Sequence, residues 1–253
     1  MRKILISVCL TFLSIHCLAQ ECKQIRVASG AFNWEPISYQ NKETLKYYGV
    51  AFDVLNEVVK RLDLSVIILD LPFKRLLMYL ENGSLDIALA LYKNKERETK
   101  YLYTRPYFSN EARIFVKKGK EFPFNSLEDL VGRDGMAPAG GSFGDKFDSF
   151  ANANLNRNLH ILYKKPFKET FHKFIINERK DYYIADFLDG MMGIKRAGLE
   201  DEIVPLAHPI GKNDVHFAFS RKSHCTYLID DINQTIEQLM LEGFVSRLTE
   251  KYK

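Results

Sequence analysis

The sequence predicts an α/β chain organised as two lobes. Three observations predict this. Between residues 25 and 91 the pattern runs strand, helix, strand, helix, strand, an order that requires parallel pairing with right-handed crossovers. A second series of alternating strand and helix patterns begins near residue 112. The length of 253 residues, with 46% hydrophobic content, suits one large domain or two lobes of about 110 residues each.

The chain opens MRKILISVCLTFLSIHCLAQ. Arg2 and Lys3 form a positive start, Ile4 to Leu13 is apolar, and Cys17-Leu18-Ala19 ends on small residues. This is the pattern of a secretory signal peptide over residues 1–19, cleaved near Ala19. The apolar run is too short to span a membrane. Cys17 follows Ser14-Ile15-His16, which is not a lipoprotein cleavage pattern. The expectation is a soluble protein exported to the periplasm. Loss of Arg2 and Lys3 takes the net charge from +4 to about +2. So small a charge argues against nucleic-acid binding, which needs a concentrated basic face. Two cysteines remain, Cys22 and Cys225. Export permits a disulfide between them, but the sequence does not show that they meet, so a bond and two unpaired thiols both stand.

The elements follow in order. Residues 25–29 form a short strand, and an aromatic and polar loop runs from there to Gly49. Ala51, Val54, Leu55, Val58, Val59 and Leu62 recur at helical spacing. LSVIIL (64–69) is a β-branched run suited to a buried parallel strand. Pro72 opens a helix that carries Phe73, Leu76, Leu77 and Leu80 on one face and ends at Gly83. LDIALAL (85–91) is the third strand. Beyond it come a strand at RIFVKK and a short helix capped by Ser126. GMAPAGGSFGDKF reads as a glycine-rich turn entering a helix. A strand at LHILYKK, a helix after Pro166, strands at DYYIADF and EIVPL, an extended HFAFSRK and a helix from Leu228 to Met240 complete the series. In open α/β sheets ligands collect beyond the carboxyl ends of the strands. WEPISY follows the first strand and the charged stretch LYKNKERETKYLYTRPYF (91–108) follows the third, so both loops point into one crevice.

The ordered motifs Trp-Glu-Pro-Ile-Ser-Tyr, GVAFD (49–53), PFKRLL (72–77), LENGSLD (80–86), Glu96-Arg97, Arg105-Pro106-Tyr107-Phe108, Gly140-Gly141-Ser142, Asp181 to Asp186, FAFSRK and EGFVSRLTEKY carry a likeness over nearly the whole mature chain. The sequence resembles the periplasmic solute-binding proteins of the polar amino-acid uptake family, family 3 of the bacterial extracellular solute-binding proteins. The resemblance implies a two-lobed, periplasmic-binding-protein-like (type II) fold, each lobe a mostly parallel sheet flanked by helices, joined by two crossover segments. Residues 20–108 plus 216–253 would form lobe one and 109–215 lobe two. It also implies a monomer that takes a small carboxylate-bearing ligand, closes about a hinge and delivers the ligand to an inner-membrane ABC permease, or alternatively presents it to a membrane sensor.

Taken alone, the charges from Lys93 to Lys100 are a solvated turn. On the resemblance, Arg97 is the clamp for the ligand's carboxylate, a role that suits a planar guanidinium fork. Trp34, the single tryptophan, stands either where a ring covers the ligand's side chain or in the core, and the resemblance favours the first; Tyr39 and Phe32 are weaker candidates of the same kind. Gly141, Ser142 and Phe143 match the turn that meets the carboxylate from lobe two, with a helix N-terminus behind it; the alternative, compatible with the first, is an ordinary glycine turn with Ser142 as N-cap. Asp186 matches the acid that accepts the ligand's ammonium, against the alternatives of a helix N-cap or of Asp189 in that role. Arg75 lines the cleft or is a surface charge.

One departure stands out. Where relatives that bind α-amino acids carry small hydroxylated residues, this chain has Leu89-Ala90-Leu91-Tyr92. Ala90 offers no side-chain acceptor and Tyr92 is bulky, while a buried, unpaired ammonium is costly. Whether the ligand carries an α-amino group therefore stays open. Gly140-Gly141-Ser142-Phe143-Gly144 also fits the serine-hydrolase pattern G-x-S-x-G, with Asp186 and His208 or His216 following in order. A same-fold dehydratase using Asp186 as general acid is a further alternative. The histidines show no metal-ligand spacing, so neither metal nor cofactor is expected.

Overall fold

The computed structural model describes residues 22–30, 33–41, 43–139, 141–155, 157–164, 172–173, 175–177 and 179–251. The expected signal peptide, Phe32, Gly140 and most of the helix expected after Pro166 lie outside these residues.

The first half of the fold follows the hydrophobic pattern. Strand β1 (Gln24–Ala28) pairs in parallel with β5 (Ser65–Ile68) on one side and β6 (Ile87–Tyr92) on the other. Helix α1 (Val50–Arg61) connects β1 to β5 and buries Ala51, Val54, Leu55 and Val58, the inward face of a 3.6-residue repeat. Helix α2 (Phe73–Asn82) buries Leu76 and Leu80 and ends at Gly83. The stretch expected as a plain loop forms a small antiparallel sheet of β2 (Asn33–Trp34), β3 (Ser38–Gln40) and β4 (Tyr47–Tyr48). Strands of two or three residues are too short to show an alternating pattern. Inside the charged run, a six-residue helix α3 (Lys95–Lys100) precedes β7 (Tyr101–Tyr103).

The second half contains β9 (Asp134–Pro138), flanked in parallel by β10 (His160–Lys164) and β11 (Tyr182–Asp186). Residues GMAP (135–138), expected in a glycine-rich turn, lie in β9. Gly135 is what makes the strand fit: a Cβ there would stand 2.2 Å from the Tyr182 ring, which lies across it. Helix α4 (Asp145–Asn154) follows β9, and α5 (Phe187–Ala197) follows β11 directly.

Two ten-residue antiparallel strands join the halves. Strand β8 (Phe108–Lys117) pairs with β11 and with the short β12 (Ile203–Pro205). Strand β13 (Gly211–Ser220) pairs with β8 from Gly211 to Val215, then with β6 from Val215 to Phe219. The result is a mixed ten-stranded sheet in the order β10-β9-β11-β8-β13-β6-β1-β5, with β12 on β8 and β7 on β13. The chain ends in α6 (Ile229–Leu241) and α7 (Phe244–Lys251).

Among the described residues, four apolar clusters lie on the two faces of each half. Val27, Leu55, Phe217 and Ile236 belong to one, and Ala28, Leu76 and Leu91 to its counterpart. Ile114, Phe147 and Tyr182 belong to the third, and Phe115, Met136 and Ile194 to the fourth. A sheet covered on both faces explains the run IALALY, which is buried throughout with no alternation. Cys22 and Cys225 are joined by a disulfide with their Cα atoms 5.4 Å apart, tying the residues before β1 to those before α6. Nearby, buried Asp86 accepts from Arg26 Nε at 2.9 Å and Nη2 at 2.8 Å, and from Ser223 Oγ at 2.6 Å. Among the described residues no helix is long and apolar enough to cross a membrane.

Candidate functional site

Arg97 sits in the first turn of α3. Asn94 caps that turn, its Oδ1 accepting from the Arg97 N–H at 2.9 Å. The neighbouring charges pair with one another: Lys93 with Glu98 at 2.8 Å, and Lys100 with Glu96 at 3.3 Å and Glu81 at 3.8 Å. Arg97 makes no such pair among the described residues. Its Nη1 donates to the Tyr92 carbonyl at 3.0 Å, and its Cζ lies 5.6 Å from the centre of the Phe73 ring. Burial lowers its pKa from the ordinary arginine value, against the pull of Tyr103 and Asp148. A half-buried guanidinium without a carboxylate partner is chemically able to receive an anion.

Opposite it is the turn before α4. Gly144 caps this helix at φ +98°, and a Cβ there would meet Asn213 Oδ1 at 2.7 Å, so the turn requires glycine. Ser142 is buried and its hydroxyl donates to Asp148, whose other oxygen accepts from the Phe143 N–H at 3.0 Å. The Phe143 ring does not reach outward; it packs edge-on against Phe147, 5.5 Å between centres. Gly141 is exposed. Arg97, Asn94 and Lys100 on one side and Gly141, Ser142 and Asp148 on the other line a cavity of about 410 Å³, within the range of small-molecule sites.

Trp34, Tyr92 and Asp186 form a second group that does not line this cavity. Tyr92 ends β6 and its hydroxyl donates to Asp186 Oδ1 at 2.7 Å, across the two halves of the fold. Trp34 meets the Tyr92 ring edge-on with centres 5.1 Å apart. Asn110 Nδ2 donates to the Tyr92 hydroxyl at 3.4 Å. Burial pushes the Asp186 carboxyl up to about 7, with the nearby Asp189 adding to the rise and the Tyr92 hydrogen bond opposing it. Burial also holds the Tyr92 phenol well above its usual value, and the Asp186 charge adds to that. Asp186 lies at the start of α5, but its side chain makes no capping hydrogen bond.

Of the other expected residues, Arg75 is exposed on α2, away from the cavity lining, and Tyr39 stacks on Tyr48 with 5.8 Å between centres. Ser142 donates to a carboxylate rather than to a histidine. His216 is engaged elsewhere, its Nδ1 donating to the Thr104 carbonyl at 2.8 Å. Sequence reasoning missed Asp148 and Asn110. Asp148 carries a faint signal, an acid in the first turn of a helix that follows a Gly-Ser turn.

The fold is that of a two-lobed α/β binding protein, with a cavity between a cationic jaw and a glycine-edged one. The chain belongs to family 3 of the bacterial extracellular solute-binding proteins, whose sequence profile matches residues 25–253. It is 27% identical over 218 residues to the probable amino-acid-binding protein YxeM of Bacillus subtilis (strain 168), covering 86% of this chain and 79% of the relative. Among solved structures, it superposes on one from a study of glutathione import in Gram-positive bacteria via GshT and the cystine importer TcyBC of Streptococcus mutans. The TM-score is 0.77 at 22% identity, covering 92% of this chain and 95% of the other. It also superposes on the ancestral amino-acid-binding protein AncCDT-1, a precursor of cyclohexadienyl dehydratase. There the TM-score is 0.72 at 22% identity, covering 91% and 95% of the two chains.

Proposed function

We propose that this protein captures a small carboxylate-bearing ligand, an amino acid or a related acid, and delivers it unaltered to an inner-membrane ABC permease. The observation that carries the reading is Arg97: a partly buried guanidinium, unpaired among the described residues, facing a cavity whose other wall is the Gly141–Ser142 turn. The ligand's carboxylate meets Arg97 first. Residues 20–108 plus 216–253 act as one lobe and 109–215 as the other, because β13 changes partner from β8 to β6 at Val215. Bending at Phe108–Ser109 and Val215–His216 closes the lobes on the ligand, and the closed form is what the permease recognises. The signal peptide places the monomer in the periplasm.

A thermal-shift screen of amino acids, dipeptides and small carboxylates on the mature protein tests this, since bound ligand raises apparent stability by mass action. Trp34, the single tryptophan, reports closure by its fluorescence. The reading expects a carboxylate that raises the melting temperature, changes Trp34 emission and is recovered chemically intact. Turnover of the compound, or no response to any carboxylate, contradicts it.

A dehydratase-like enzyme is a second reading, favoured by one observation: Asp186, bonded to Tyr92 where the two halves meet and held at about 7, is poised for proton transfer near neutral pH. Incubation with prephenate decides it, and the binding-protein reading expects no loss of prephenate.

A further inference from the structure

The residue expected to accept a ligand's ammonium is already engaged. Asp186 takes the Tyr92 hydroxyl at 2.7 Å, and the phenol is 7% exposed, fixed by the Trp34 edge and the Asn110 amide. Asp148 is placed differently. It lines the same cavity as Arg97 and is partly exposed. One of its oxygens accepts from Ser142 Oγ and the other from the Phe143 N–H. Those two bonds fix the carboxylate's orientation and leave acceptor capacity, because an ionised carboxylate has about four lone-pair sites. Asp148 and Arg97 interact electrostatically but do not form an ion pair within 4.0 Å. A cation and an anion held on opposite walls of one cavity, close but unpaired, complement a zwitterion.

We propose that Asp148, rather than Asp186, receives the ammonium of an α-amino acid whose carboxylate is held by Arg97. The inference rests on the reading of Arg97 as a carboxylate clamp and deepens it, since it names the ligand class that the Tyr92 departure left open. On this account Tyr92 fills the ammonium position beside Asp186 with a hydroxyl, and the amine site has moved about the ligand to the first turn of α4. The Ser142–Phe143 turn then serves the site indirectly, by aiming Asp148 instead of binding the carboxylate itself.

The test is calorimetric titration of the mature protein with the twenty standard L-amino acids and L-cystine, each beside its N-acetyl derivative. At least one free amino acid binds, and its N-acetyl form binds at least tenfold more weakly. Asp148→Asn keeps an acceptor for the Phe143 N–H and removes the charge; it weakens that amino acid at least tenfold. Asp148→Ser is the substitute if the first variant loses the wild-type circular dichroism. Asp186→Asn weakens binding less than tenfold. The proposal is overturned by a smaller loss at Asp148, by a tenfold loss at Asp186, or by N-acetyl compounds that bind as well as free ones. Failure of the underlying reading looks different: Arg97→Ala would then bind the same amino acid as the wild type does, or no carboxylate in the panel would bind at all.

Discussion

Replacing Asp186 by asparagine should stabilise the ligand-free protein at alkaline pH and leave it unchanged in acid. The carboxyl is held at about 7 in the fold against an ordinary value of 3.8. Its folded-state pKa is raised, so below about pH 4 the group is neutral in both states and costs nothing. Between about pH 4 and 7 the unfolded chain releases a proton that the fold retains, and stability falls as pH rises. Above about 7 the penalty is complete. At about 1.4 kcal/mol for each tenfold change in proton affinity, it reaches a ceiling of about 4 kcal/mol. Asparagine removes the titration and keeps an oxygen for the Tyr92 hydroxyl, which now donates at 2.7 Å. The assay is urea unfolding of wild type and variant at pH 4, 6 and 8, followed by circular dichroism. The expected difference is near zero at pH 4 and grows to a few kcal/mol at pH 8. A difference independent of pH, or a variant less stable at pH 8, refutes the claim that burial raises the pKa of this carboxyl.

Other outcomes follow from the same structure. Replacing both Cys22 and Cys225 by serine opens a link between residues 203 apart in sequence and should cost about 2–5 kcal/mol, read from denaturant midpoints. Asp86→Ala removes the carboxylate that accepts from Arg26 and Ser223; because the Arg26 side chain is 36% exposed and can be rehydrated, the cost should be about 1–3 kcal/mol in unfolding free energy. In the wild type, burial raises the Asp86 pKa, but the bonds from Arg26 and Ser223 overcome this and hold it low. The stability that Asp86 contributes is therefore present above about pH 4 and lost as pH falls through its folded value, and the alanine variant should lose that acid dependence. Gly144→Ala forces a side chain into φ +98° against Asn213 and should destabilise by about 1–3 kcal/mol, measurable by thermal melting.

Much of the architecture was legible because period and length coincide. The order β1-α1-β5-α2-β6 shows in the spacing of Val54, Leu55 and Val58 and in the uninterrupted IALALY, and both describe buried faces. Elements without a buried repeat were not legible. Helix α3 buries none of its residues, and β2 to β4 are too short to alternate. Strand β9 hid because its glycine serves a ring that lies 47 residues downstream, which no local pattern records. The site divides in the same way. Arg97 was singled out only through the family resemblance; its own charge run reads as a solvated turn. The bond from Tyr92 to Asp186 spans 94 residues and exists only in three dimensions. Asp148 went unnoticed because its meaning comes from facing Arg97 across a cavity.

The central claim is that one guanidinium captures the ligand. Calorimetric titration of wild type and Arg97→Ala with whichever carboxylate the thermal screen finds tests it most directly. A micromolar ligand corresponds to about 8 kcal/mol of binding free energy, of which a desolvated charge pair at Arg97 should account for about 2–5. The account predicts a loss of affinity of that size, with the fold intact. Equal affinity in the two proteins would contradict it and return Arg97 to an ordinary charge in a solvated turn.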